Sequence, residues 1–329
     1  MRRSFSGQMN QGWTYRDRVS AAAAGQSLLD FYTQRYRHSS RAEWRQRIEQ
    51  GQITVAGQPG HPEQPLPAGQ QLAYHRAPWQ EPDVPLDFDL LYEDADLLAI
   101  AKPAGLPVLP GGHFLDHTLL HQLRRRYPQE PPSPVHRLGR GTSGVMLWAR
   151  SPLAKADLSR QLRHTSQPSD GPATFQKTYR ALIGPSDLPD TFEVTTPIGP
   201  VPYPVLGTIH AATPNGKWAY SQGRVMQRRA TQTLVEVTIL TGRPHQIRIH
   251  LAAIGYPLLG DPLYAPGGVP HAVRDLDHLP VPGDLGYWLH AHRLRFTHPR
   301  TGQPITLVCP PPSCLQTDLE ACGHQRSPH

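Results

Sequence analysis

Four apolar runs, Leu97–Ala101, Val145–Ala149, Tyr179–Ile183 and Leu234–Leu240, are strand-sized, and none is long enough to cross a membrane as a helix. Helical candidates stand between them, at Leu153–His164 and Ile247–Ile254, without the even strand-helix alternation of a parallel βαβ array. The pattern specifies an α+β domain. In the last run Val235, Val237 and Ile239 share one face, as a half-buried strand requires, and Thr241-Gly242-Arg243-Pro244 then breaks the strand and offers a helix start.

A chain of 329 residues has room for one large domain and one small one. Leu28-Leu29-x-Phe31-Tyr32 and Ala42-x-Trp44-x-x-x-Ile48 predict two short amphipathic helices, and residues 51–57 alternate like a strand closed by turn glycines. Prolines at 59, 62, 65, 67, 78, 82 and 85 then mark a loop-rich hairpin and a linker. The boundary falls near Trp79, giving a small α/β module over 18–79 and a larger domain over 80–312. Residues 1–17 and 313–329 are polar and aperiodic and read as disordered tails. Residues 265–287 are turn-rich and read as a surface insertion.

The formal net charge of +7 and a pI of about 9.5 favour contact with a polyanion. No apolar run of signal-peptide length follows Met1-Arg2-Arg3, so the expectation is a soluble, cytoplasmic protein without a membrane partner. Cys309, Cys314 and Cys322 lack paired spacing and read as free thiols in a reducing compartment. His290-x-His292 places two rings on one strand face but has no acid or cysteine beside it, and His113, His117 and His121, spaced to line one helix face, read as polar surface. No metal site is expected.

Two segments carry candidate chemistry. Gly139-x-Gly141-x-x-Gly144 has the glycine spacing of a dinucleotide loop, but a strand, not a helix, follows it, and no Gly-Lys-Ser/Thr is present. A nucleotide cofactor is therefore not expected. In the second segment Arg243, His245, Gln246 and Arg248 cluster at a helix start, where they could bind phosphate or hold a carboxylate bidentately. Solvated helix-start residues are the alternative, and the segment by itself leaves both open.

Read whole, His136-Arg137-Leu138 followed by Thr142-Ser143-Gly144 and an apolar run resembles the signature of the RluA-type RNA pseudouridine synthases. Further blocks resemble that family in the same order: Lys102-Pro103-Ala104-Gly105, Lys177-Thr178-Tyr179-Arg180-Ala181, residues 241–252, Gly260-Asp261-Pro262-Leu263-Tyr264, and His290-Ala291-His292-Arg293-Leu294. The likeness spans roughly residues 86 to 312. Residues 26–78 are similar, more weakly, to an alpha-L RNA-binding module, in which Arg35, Arg37, Arg41, Arg45 and Arg47 would face phosphates; an ordinary solvated helix face is the alternative.

The resemblance implies a mixed, mostly antiparallel sheet split by a basic cleft, and isomerisation of a uridine in rRNA or tRNA to pseudouridine without a cofactor. Arg137 would fill the gap left by the flipped base, and Tyr179 would support that base or accept a proton. His136, Thr142, Ser143, Gly144, Lys177, Arg243, His245 and Gln246 would line the RNA cleft. Arg248 would pair with the catalytic aspartate, but the aspartate's position is Gly139, which can neither attack a sugar nor take a proton. The expectation is an Arg248 without its usual partner, with Asp116, Asp170 and Asp261 as acids that could replace the missing one. A non-catalytic RNA-binding protein retaining the fold is the alternative function. The sequence is silent on the target uridine and on oligomeric state.

Overall fold

All four apolar runs are strands in the computed structural model, which describes residues 9–37, 39–164, 175–273, 275 and 278–323. The chain divides into two compact units, one comprising residues 1–83 with 203–207 and the other 84–202 with 208–329.

In the first unit, helices α1 (Leu28–Arg35) and α2 (Arg41–Glu49) are followed by strands of a four-stranded antiparallel sheet. Each helix begins where the sequence supplies an oxygen cap: Ser27 accepts from Asp30 N–H, and Ser40 with Glu43 forms a capping box. Their apolar positions, Leu28, Leu29, Phe31, Tyr32, Trp44 and Ile48, bury against Ile53, Val55 and Leu72 of the sheet. Two expectations are corrected. Residues 13–17 are not a disordered tail: Trp13–Arg18 form strand β1, which pairs with Gln71–Arg76. Stacking of Tyr15 on Tyr74 at 5.8 Å and a hydrogen bond that Tyr36 donates to Asp17 hold it. The division also lies beyond Trp79, because Asn10 exchanges hydrogen bonds with Trp79 and donates to Glu81.

The second unit is built on a ten-stranded sheet. Its centre contains β2 (Leu97–Lys102), β3 (Ser143–Ala149), β4 (Gln176–Ile183), β5 (Thr233–Ile239) and β6 (Leu289–Thr297), in the spatial order β5-β4-β6-β3-β2. All neighbours are antiparallel except β6 and β3, which run parallel and share two register pairs, His290 with Ser143 and Ala291 with Gly144. Beyond that contact Pro304–Val308 pairs with β6 instead, so the sheet forks. Strand β5 is buried on nearly every residue, not on alternate ones, because it lies inside the sheet.

Three further readings change. Of His113, His117 and His121 only His121 is helical, since Thr118 caps a helix that begins at Leu119. The stretch 265–287 is not simply a surface insertion: it ends in the buried Tyr287. Residues beyond Pro312 are not all a disordered tail, for Leu315 is buried and Asp318–Gly323 form a short helix. The reason is charge. Arg180 projects from β4 with 5 % of its side chain exposed, and both terminal nitrogens donate to Glu320 at 2.7 Å.

Arg180 draws Glu320 down to a pKa of about 2, so the pair's stabilisation is complete above the usual glutamate range and fades as pH falls through about 2. Glu320→Gln should cost about 1–2 kcal/mol, at the low end for a broken buried pair because the carboxylate side is 38 % exposed. Denaturant unfolding at neutral pH and again below pH 4 checks this, with the gap to wild type narrowing in acid.

Candidate active site at the fork of the sheet

The fork exists because residue 144 has no side chain. Gly144 has a φ of +113°, and a Cβ there would lie 2.2 Å from the carbonyl oxygen of Ala291. The segment entering β3 is pinned on both sides of this contact. His136 Nε2 accepts from Leu147 N–H at 3.2 Å, and its ring meets Phe175 edge-on. Burial, helped by the charge of Lys177, pushes His136 down to about 3, so the ring is neutral at physiological pH. Leu138 is buried while Arg137 between them is exposed. At the far end Arg140 O accepts from Gly105 N–H and from Lys102 Nζ, which also donates to Pro103 O and Leu106 O.

Strand β4 brings Lys177 and Tyr179 to one face of the sheet by strict alternation. Both are buried. Burial drives the Tyr179 hydroxyl well above the usual phenol range and lowers Lys177 to about 8. Lys177 Nζ sits 3.1 Å from where a side chain on Gly242 would begin. His136, Lys177 and the turn after β5 are thus neighbours.

That turn leads into α3 (Gln246–Ala253), whose first cap residue, His245, is held left-handed at φ 55°. Tyr264 donates its hydroxyl proton to His210 O at 2.7 Å, so His245 Nδ1–H donates to Tyr264 at 2.7 Å. Gln246 is consumed internally: it accepts from Thr241 and Arg243 N–H and donates to Tyr220 O and Ser221. Arg243 Nε donates to Trp218 O.

Arg248 is buried and is not without an acid. Its Nε and Nη2 donate to Asp261 at 2.6 and 2.7 Å, and Nη1 donates to Pro282 O. Burial opposes this charge, but Asp261 more than restores it and holds Arg248 above the ordinary arginine value. Asp261 also accepts from Leu263 and Tyr264 N–H. The guanidinium lies over two rings, 4.3 Å from the centroid of Tyr287 and 5.0 Å from that of Tyr264. Tyr287 crosses the glycine turn: a side chain on Gly139 would begin 3.1 Å from its hydroxyl, and one on Gly141 would begin 2.9 Å from its Cζ.

A family model described as RNA pseudouridylate synthase matches residues 96–253. An RNA pseudouridine synthase of Synechocystis, itself named as uncharacterised, is 52 % identical over 92 % of this chain and all of its own length. The chain belongs to the RluA-type RNA pseudouridine synthase family. Ribosomal large subunit pseudouridine synthase D of Nitrosomonas europaea is 35 % identical over 70 % of this chain and 64 % of its own. The solved structure of human RNA pseudouridylate synthase domain containing 1 has the same fold, with a TM-score of 0.53 at 22 % identity over 76 % of this chain and 98 % of that one.

Within this RluA-type chain, the fork collects Gly139, Thr142 and Arg248 around Tyr287, with Lys177 and Tyr179 on the adjoining β4 and His136 in the segment that enters β3. Ser143 donates to His290 at 2.9 Å, leaving its hydroxyl engaged inside the protein, and His290 and His292 both donate to Cys309 O. No cluster of potential metal ligands occurs among the described residues. Arg41 and Arg45 belong to the other unit, where Arg41 pairs with Asp30, and Arg45 with Glu63 at 2.9 Å. Arg35 and Arg47 also have carboxylate partners. Of the candidate acids, Asp261 is Arg248's partner, Asp116 pairs with His121 at 3.2 Å, and Asp170 lies outside the described residues. Sequence reasoning missed Tyr287, whose turn-rich surroundings signal a loop and not a buried ring.

Gly144→Ala should cost more than about 3 kcal/mol, since both φ and the 2.2 Å approach forbid a methyl group. Asp261→Asn should cost about 3–5 kcal/mol by leaving Arg248 buried without its anion. Thermal unfolding of each variant measures both losses.

Proposed function

We propose that this protein isomerises a uridine in a structured rRNA or tRNA to pseudouridine by flipping the base into the fork of the sheet. The glycosidic bond breaks, the uracil turns, and its C5 joins the ribose carbon. One observation supports the reading: Arg137 is exposed between the half-buried His136 and the buried Leu138, just ahead of β3, in the block that resembles the family signature. An outward guanidinium on a pinned backbone suits the gap that a flipped base leaves. Tyr179 offers a ring for the extruded base, and Lys177 a cation for the RNA backbone. The ribosomal name of the Nitrosomonas relative makes rRNA the first substrate to test. The proposed compartment is the cytoplasm, in keeping with three unpaired cysteines.

The side-chain-free Gly139 favours a second reading, an RNA-binding protein that keeps the fold without turnover. Tritium release from RNA labelled at uracil C5 separates the two. The wild-type protein should release tritium, and Arg137→Ala should lower kcat/KM at least about tenfold, matching the few kcal/mol of unstacking that the arginine would offset. Tight RNA binding with no release would leave the second reading standing. RNA affinity should fall as pH rises through about 8, where Lys177 loses its proton, and Lys177→Arg should flatten that decline.

A further inference from the structure

Resting on the enzymatic reading, we infer that Tyr287 supplies the reactive oxygen that Gly139 cannot. A covalent route to glycosidic cleavage uses a nucleophile beside the sugar. Asp261 is not available for that role: one oxygen accepts from Arg248 and from two backbone N–H groups, and the other accepts from Arg248. Asp116 is engaged by His121 Nδ1 at 3.2 Å. The hydroxyl of Tyr287, by contrast, lies 3.1 Å from the point where a side chain on residue 139 would start.

Its placement is built. Gly260, next to Asp261, approaches Gly286 so closely that a Cβ on Gly260 would lie 2.2 Å from the Gly286 carbonyl oxygen. The backbone before Tyr287 is thereby set against the backbone before Asp261, and Arg248 lies between the two side chains. The guanidinium over the ring, 4.3 Å from its centroid, attracts negative charge developing on the phenol. The hydroxyl's one hydrogen-bond neighbour in the glycine turn is Thr142 Oγ1, at 3.4 Å.

The step balances without a co-reactant. The Tyr287 oxygen bonds to C1′ of the ribose as the C1′–N1 bond breaks, and the phenol proton passes to N1 of the departing uracil. After the base turns, C5 attacks C1′, the tyrosyl C1′–O bond breaks, and the C5 proton returns to the phenolate. Tyrosine nucleophiles are established for glycosyl transfer.

The test uses the full chain and bulk RNA carrying [5-³H]uridine, prepared from cells deleted for this gene. Tyr287→Phe keeps the ring on Arg248 and removes only the oxygen; kcat for tritium release should fall at least about 100-fold with KM and thermal midpoint unchanged. Wild-type release matched within about threefold by Tyr287→Phe would overturn the tyrosine assignment alone, whereas wild type silent on this RNA would overturn the enzymatic reading and the assignment with it. If the variant does not fold, the wild-type reaction is quenched in denaturant and digested. A ribosyl adduct mapped to the peptide containing Tyr287 supports the assignment, and one mapped to another residue overturns it.

Discussion

The buried pair of Arg248 and Asp261 is the constraint on which the site depends. A guanidinium removed from water must keep both its counter-charge and its hydrogen-bond partners, and here one carboxylate supplies two of these bonds. Because Asp261 also takes the N–H groups of Leu263 and Tyr264, the pair ties the start of α3 to the turn at 260–264. Because the guanidinium face needs cover, the rings of Tyr264 and Tyr287 lie on it, and Pro282 O takes a further proton. One ion pair thus gathers three separate stretches of chain beside Gly139.

The second determinant is the single parallel contact in an otherwise antiparallel centre. Two register pairs between β3 and β6 leave no room for further pairing, and the strands diverge on either side. The opening has a floor because the segment 136–142 is anchored by the buried Leu138 and Thr142 and by the bond that His136 accepts from Leu147 N–H, while Arg137 faces out. The low pKa values of His136 and Lys177 share one cause, loss of water around the charged form. The consequences differ: His136 stays a neutral structural acceptor, whereas Lys177 titrates near physiological pH.

The central strands, the helix after Thr241 and the capped helices of the small unit were legible because each depends on local periodicity and capping. So was the block order that pointed to the family. Strand β1 and the final helix were not legible, because each is polar in its own sequence and ordered by partners far along the chain: Tyr74 for Tyr15, and Arg180 for Glu320. The histidines at 113–121 share no helix face, since regular spacing over a stretch capped at Thr118 does not make a helix, though none of them is buried.

Residues 136–144, by themselves, pointed to the candidate site and determined the absence of a carboxylate at Gly139. They could not determine what fills that place. Arg248's partner lies 13 residues away along the chain and Tyr287 lies 145 residues from Thr142, so only folding brings them together. The physical reason is that charge compensation and close packing act through space, and a buried arginine accepts whichever carboxylate the fold delivers. The lone glycine describes a gap in the sequence; the tertiary structure lays a phenol hydroxyl against it.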